Sequence, residues 1–186
     1  AGFDWVRTVF KANVLQHWIE RCHHYNLKVL CVVARESFPS TGIDFNRLAR
    51  VAYLYRNDVA AWQIGNEWDH HSASSWDLGG AEVTRLGREF RAAMPDATLI
   101  LGGMADGRPE VLADVDLAVF NAIAVHSYGR RIGNWPSPAW GFGPVDELIA
   151  AYRAAAPDVP IWSTEFGAQS GDFTAAPERG MYYGRM

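Results

Sequence analysis

The sequence predicts an α/β chain of the (β/α)8-barrel type with six of the eight strand–helix units present, and three observations lead there. Short apolar runs that suit buried parallel strands recur along the chain. Segments with apolar residues at helical spacing stand between them. The distance from one run to the next is that of a barrel unit, and no shorter solenoid motif repeats.

Residues 3–10, rich in Val, Phe and Trp and preceded by Gly2, read as the first strand. Arg7 lies inside it, and a charge in a buried strand needs a partner. Val14, Leu15, Trp18, Ile19 and Cys22 then mark a helix over 13–25, with Asn13 as its N-cap. Residues 27–34 form a continuous apolar run, as a strand covered on both faces does. Asp44 caps the next helix, whose one face carries Phe45, Leu48, Val51, Ala52 and Tyr55. Ala61-Trp62-Gln63-Ile64 is the third strand, and Gly65 lets the backbone turn so that Asn66 and Glu67 stand at its carboxyl end.

A loop from Trp68 to Gly80 leads to a helix over 81–93 and a strand over 98–102, with Gly102-Gly103 opening its exit. Pro109 suits the first turn of a helix reaching Leu117. The strand over 119–126 ends on His126, followed by Tyr128, and residues 129–143 form a long glycine- and tryptophan-rich loop that walls a cleft. A helix over 145–155, ended by Pro157, precedes the last strand, which starts at Ile161 and delivers Glu165 just before Gly167. Pro177 begins a further helix start.

A length of 186 residues with 49 % hydrophobic and 20 % charged side chains describes one domain, residues 1–186. The net charge of −4 and scattered arginines give no basic footprint for nucleic acid or an anionic membrane, and no apolar stretch is long enough to span a bilayer. A neutral substrate suits this balance. Eight tryptophans and seven tyrosines exceed what the core needs, and flat rings pack well on the apolar faces of sugars. Trp68, Trp76, Trp135 and Trp140 are the candidate sugar platforms. Cys22 and Cys31 are too few for a disulfide framework.

An isolated Asn-Glu dipeptide is ordinarily a solvated loop acid. Here the design occurs twice. Trp62-Gln63-Ile64-Gly65-Asn66-Glu67 and Pro160-Ile161-Trp162-Ser163-Thr164-Glu165-Phe166-Gly167 each run an apolar strand into a glutamate at its carboxyl end. Two such carboxylates are what glycoside hydrolysis uses.

These segments resemble the acid/base and nucleophile strands of the clan A glycoside hydrolases, cellulase-like (β/α)8 barrels that include families 5 and 39. Ala124-Val125-His126-Ser127-Tyr128 resembles the clan's sixth strand, where a His-x-Tyr pair lies beside the carboxylates. The resemblance implies Glu67 as acid/base, Glu165 as nucleophile, Arg7 as the arginine that hydrogen-bonds the nucleophile, and Asn66 as the ligand of the sugar 2-hydroxyl. It implies a retaining β-glycosidase without metal or organic cofactor, acting on carbohydrate, with a secreted location favoured. It places the chain at strands two to seven, so the first and eighth strands would come from the rest of a longer chain or from another subunit. Two other readings stand beside it. One is a carbohydrate-binding or structural barrel that keeps the glutamates without turnover, and the other a Schiff-base aldolase whose lysine is Lys11, just past a strand.

Overall fold

The structure, a computed structural model, describes residues 4–34, 37–38, 44–68, 78–104, 109–128 and 145–167. Its strands are β1 (Trp5–Val9), β2 (Lys28–Val33), β3 (Ala61–Ile64), β4 (Leu99–Leu101), β5 (Ala122–Tyr128) and β6 (Ile161–Gly167). The helices are α1 (Ala12–His24), α2 (Phe45–Tyr53), α3 (Gly80–Ala93) and α4 (Val145–Ala155). All strands run parallel in one sheet, in the order of the sequence. This is the six-unit α/β architecture expected, an incomplete (β/α)8-type barrel.

The alternation of side chains sorts each strand between two faces. On the convex face Val29, Cys31 and Val33, then Trp62 and Ile64, then Leu99 and Leu101, then Ile123 and Val125 pack against the buried helical residues Leu15, Ile19, Ala49, Ala52, Val83, Leu86, Phe90 and Tyr152. Phe10, Trp62 and Phe90 meet edge to face at 5.5 Å in this layer. The concave face carries Leu30, Ala61, Ile100, Ala122 and Ala124, with Trp162 packed against them. The three alanines among them leave room for the sheet to curl.

The curl is strong. In a flat sheet β1 and β6 would stand five strand spacings apart, about 24 Å at roughly 4.8 Å per step. Instead Trp5 of β1 and Trp162 of β6 meet edge to face with ring centres 5.5 Å apart. At the carboxyl ends Arg7 Nη2 of β1 lies 2.8 Å from Glu165 Oε1 of β6. The two edge strands therefore face each other across the interior.

Three local expectations are corrected. The α1 helix begins at Ala12 with Lys11 in the N-cap position, whose carbonyl accepts from Val14 and Leu15, and no side chain caps it, so Asn13 lies within the first turn. By contrast, Asp44 caps α2 by accepting from the Arg47 amide. The region from Pro109 forms two 3₁₀ turns, Pro109–Asp114 and Leu117–Val119, in place of one helix. The reason is that the Asp116 amide donates to Thr84 Oγ1 of α3 and its carboxylate accepts from the Ala118 amide, which breaks the helical ladder. The following strand accordingly starts at Ala122, later than expected.

Candidate active site

The tip of β3 is an unusual piece of backbone. Gly65 has φ +85° and Glu67 has φ +47°, in the left-handed region that a non-glycine residue occupies at a cost of about 1–3 kcal/mol. Neighbouring hydrogen bonds hold it there. The Gly65 amide donates to Val33 O at 2.9 Å, the Glu67 amide to Gly103 O at 2.8 Å, and the Gly102 amide to Ile64 O at 2.8 Å. The exit of β4 must be glycine for this approach, because a Cβ on Gly102 would lie 2.2 Å from Gly65 O, and one on Gly103 would lie 2.3 Å from His126 Cδ2.

At β6 a bulge decides which way the second glutamate points. Ile161 packs with the helix-side core and Trp162 with the concave cluster, so strict alternation would turn Ser163 and Glu165 toward the helices. The pairing shifts by one residue: Val125 faces Ser163, but the next residue, His126, faces Glu165. The extra residue, Thr164, returns Glu165 to the concave side that His126 occupies. The Ser163 hydroxyl, which donates to Glu165 O at 3.4 Å, spans the bulge.

The groups so delivered converge. His126, its side chain fully buried, stands between the two acids, with Nδ1 3.3 Å from Glu67 Oε1 and Nε2 3.3 Å from Glu165 Oε1. One ligand atom from each of Glu67, His126 and Glu165 lies within 4.8 Å of the others. Arg7 Nη2 donates to Asn66 Oδ1 at 2.6 Å and contacts Glu165 at 2.8 Å, while Arg7 Nε donates to Gln63 Oε1 at 3.3 Å. Gln63, fully buried, donates in turn to Gly65 O at 3.1 Å and to Asn66 Oδ1 at 3.3 Å. The Glu67 side chain is 39 % exposed and that of Glu165 20 %, so both acids are reachable from solvent.

Arg7, Asn66, Glu67, His126 and Glu165, named from sequence, are thus brought together. Gln63 belongs with them, and its signal in the sequence is that it is the one polar residue in an otherwise apolar buried strand. Trp68 is corrected: it is 2 % exposed, packs in the helix-side core and donates its indole N–H to Gly102 O at 2.9 Å, so it is no sugar platform in this structure. Of Tyr128 only the backbone is described, at the end of β5 opposite Gly167. Trp76, Trp135 and Trp140, the loop over 129–143 and the helix start at Pro177 lie outside the described residues.

Two carboxylates and an imidazole are also donors to a divalent metal. The arrangement fits one poorly. The imidazole turns a different ring nitrogen to each acid, so a single ion could not take both as they stand, and the Arg7 cation already occupies Glu165 Oε1.

Neither the family models nor the curated proteins contain a match to the chain. Solved structures do resemble it. A family 51 α-L-arabinofuranosidase from Bifidobacterium longum superimposes with a TM-score of 0.58 at 13 % identity over 88 % of this chain. A thermostable mutant of a xylanase from Cellvibrio japonicus gives 0.59 at 16 % over 90 %. A thermostable, halotolerant family 5 cellulase from an Icelandic hot spring isolate gives 0.63 at 13 % over 98 %. The chain shares the barrel fold of glycoside hydrolases. It spans 41 %, 59 % and 62 % of the lengths of those three chains, so the match is to part of each. In barrels of this kind functional groups gather at the carboxyl ends of the strands, which is where Arg7, Glu67, His126 and Glu165 meet.

Proposed function

We propose that this barrel segment carries the catalytic centre of a retaining β-glycosidase acting on β-linked oligo- or polysaccharide, with Glu165 as nucleophile and Glu67 as acid/base. The observation that supports it is the pairing of two partly exposed glutamates from different strands across one buried histidine, their nearest oxygens within 4.8 Å. Carboxyl groups about 5–5.5 Å apart suit attack by the enzyme's own carboxylate, whereas inverting enzymes keep roughly 6.5–9.5 Å to admit a water.

The surroundings suit the two roles. Arg7 Nη2 stands 2.8 Å from Glu165 Oε1, a charge-assisted contact that fixes the direction of the attacking carboxylate. Glu67 Oε1 faces Nδ1 of His126 at 3.3 Å. A neutral imidazole carries one proton, and with that proton on Nε2 the Nδ1 lone pair can accept from a protonated Glu67 at 3.3 Å. That is the starting state the mechanism requires. Glu165 attacks the anomeric carbon as Glu67 gives its proton to the leaving oxygen. Glu67 then takes a proton from water, which displaces Glu165 from the sugar. Asn66, held by Arg7 and Gln63, takes the sugar 2-hydroxyl in this reading. No cofactor enters this scheme.

The wall between β1 and β6 belongs to the proposal as well. Both edges lack a strand neighbour in the described sheet, and Trp5 on β1 with Val14 and Trp18 on α1 is exposed. Two further strand–helix units, from a longer form of the chain or from another subunit, would close the barrel there.

Azide rescue tests the roles. Glu67→Ala lowers turnover of a poor-leaving-group β-glycoside by about 10²–10⁴-fold, keeps glycosylation by an activated aryl glycoside, and regains turnover with azide as the β-glycosyl azide. Glu165→Ala loses both steps and yields the α-azide. Oligosaccharide binding without any released reducing end in the unsubstituted protein would instead identify a non-catalytic carbohydrate-binding barrel.

A further inference from the structure

We infer that Trp68 is a positioning residue for Glu67, latching the strained tip of β3 onto the glycine pair that follows β4. The inference rests on the reading of Glu67 as the acid/base.

Glu67 is held from both sides by one short ledge. Its own amide donates to Gly103 O at 2.8 Å, and the indole of the next residue donates to Gly102 O at 2.9 Å. These two carbonyls belong to consecutive glycines. Neither glycine can carry a side chain without striking Gly65 or His126, so the ledge approaches the tip as closely as backbone can. Trp68 also fills the space beneath Gly65, where its Cδ1 would lie 3.1 Å from any added Cβ.

The left-handed backbone of Glu67 makes this hold consequential. Return to an ordinary helical φ changes the angle by roughly 110° and carries the Cα–Cβ bond away from His126. Its Oε1 lies 3.3 Å from His126 Nδ1, a contact that holds only while the main chain keeps Cβ aimed that way, and the ledge holds the main chain. A buried indole N–H costs free energy unless bonded, so the latch has one favourable partner, Gly102 O, and one register.

Trp68→Phe removes the N–H and keeps a large ring. The expected result is a kcat loss of about 10–100-fold on β-glycosides with poor leaving groups, as for a displacement of roughly 1 Å, with KM unchanged. Aryl glycosides that need no protonation keep their glycosylation rate. Equal losses on both substrate types would show a general structural role and overturn the inference. Glu67→Ala, assayed beside it, separates the two claims: if it lacks the leaving-group dependence, the acid/base reading fails, and if it alone shows it, the latch fails. Amide exchange in the unsubstituted protein gives a second, variant-free test. The Glu67 amide and the Trp68 indole should exchange slowly and at matching rates, through one local opening. A Glu67 amide exchanging like an exposed loop amide while the indole stays protected would overturn the latch.

Discussion

If the sheet is curled as described, Arg7 and Glu165 are energetically coupled although they sit on the first and last strands of a six-strand order. A double-mutant cycle with Arg7→Met and Glu165→Gln measures that coupling. At 2.8 Å and an effective dielectric near 20, two unit charges attract by about 6 kcal/mol before desolvation is subtracted. The side chains keep 26 % and 20 % of their exposure, so the pair lies between surface bridges, worth about 0.2–1 kcal/mol, and buried ones, which cost about 3–5 kcal/mol to break. A coupling of about 1–2 kcal/mol is expected on that interpolation. Because Arg7 also holds Gln63 and Asn66, the Arg7→Met change alone should cost more than the coupling, and the cycle removes that surplus. The assay is urea unfolding of the four proteins at low salt, repeated at high salt, where a partly exposed pair weakens. Additivity within about 0.3–0.5 kcal/mol, as for independent sites, would mean that the edges do not meet and would refute the curled arrangement together with the site built on it.

Two further outcomes follow from the same structure. A form of the chain lengthened by one strand–helix unit at each end should unfold at a higher temperature and hydrolyse β-linked oligosaccharides faster, because both edges would gain a neighbour; unchanged melting and activity would show that 1–186 is already a closed functional unit. Cys22 and Cys31 are both buried and free, and burial pushes the Cys31 thiol well above its ordinary range, so a thiol reagent at neutral pH should leave Cys31 unlabelled until denaturant is added. Rapid native labelling of Cys31 would show that β2 is not covered on both faces.

The strands were legible because a parallel strand covered on both faces is a continuous apolar run, and Val29 to Val33 is unmistakable as one. The two glutamates were legible because each follows such a run directly. What escaped was decided by pairing between distant segments. Nothing near Glu165 shows that β6 bulges, since the shift exists only against β5. Nothing near Trp68 tells a platform from a core anchor, because the carbonyl that claims its indole is Gly102, thirty-four positions along the chain. The helix expected from Pro109 failed for the same kind of reason, its ladder broken by Thr84 from an earlier helix.

The bulge in β6 gives that strand two independent phases. Its first half must keep step with the helix layer, where Ile161 packs, and its second half with the acids and His126. Joined by strict alternation, the two demands would conflict, since the phase that buries Ile161 points Glu165 at the helices. With Thr164 as a spacer, each half can drift in sequence without dragging the other out of step. Deleting that one residue would leave every chemical group of the site in the chain, yet turn the second acid through the wall of the barrel.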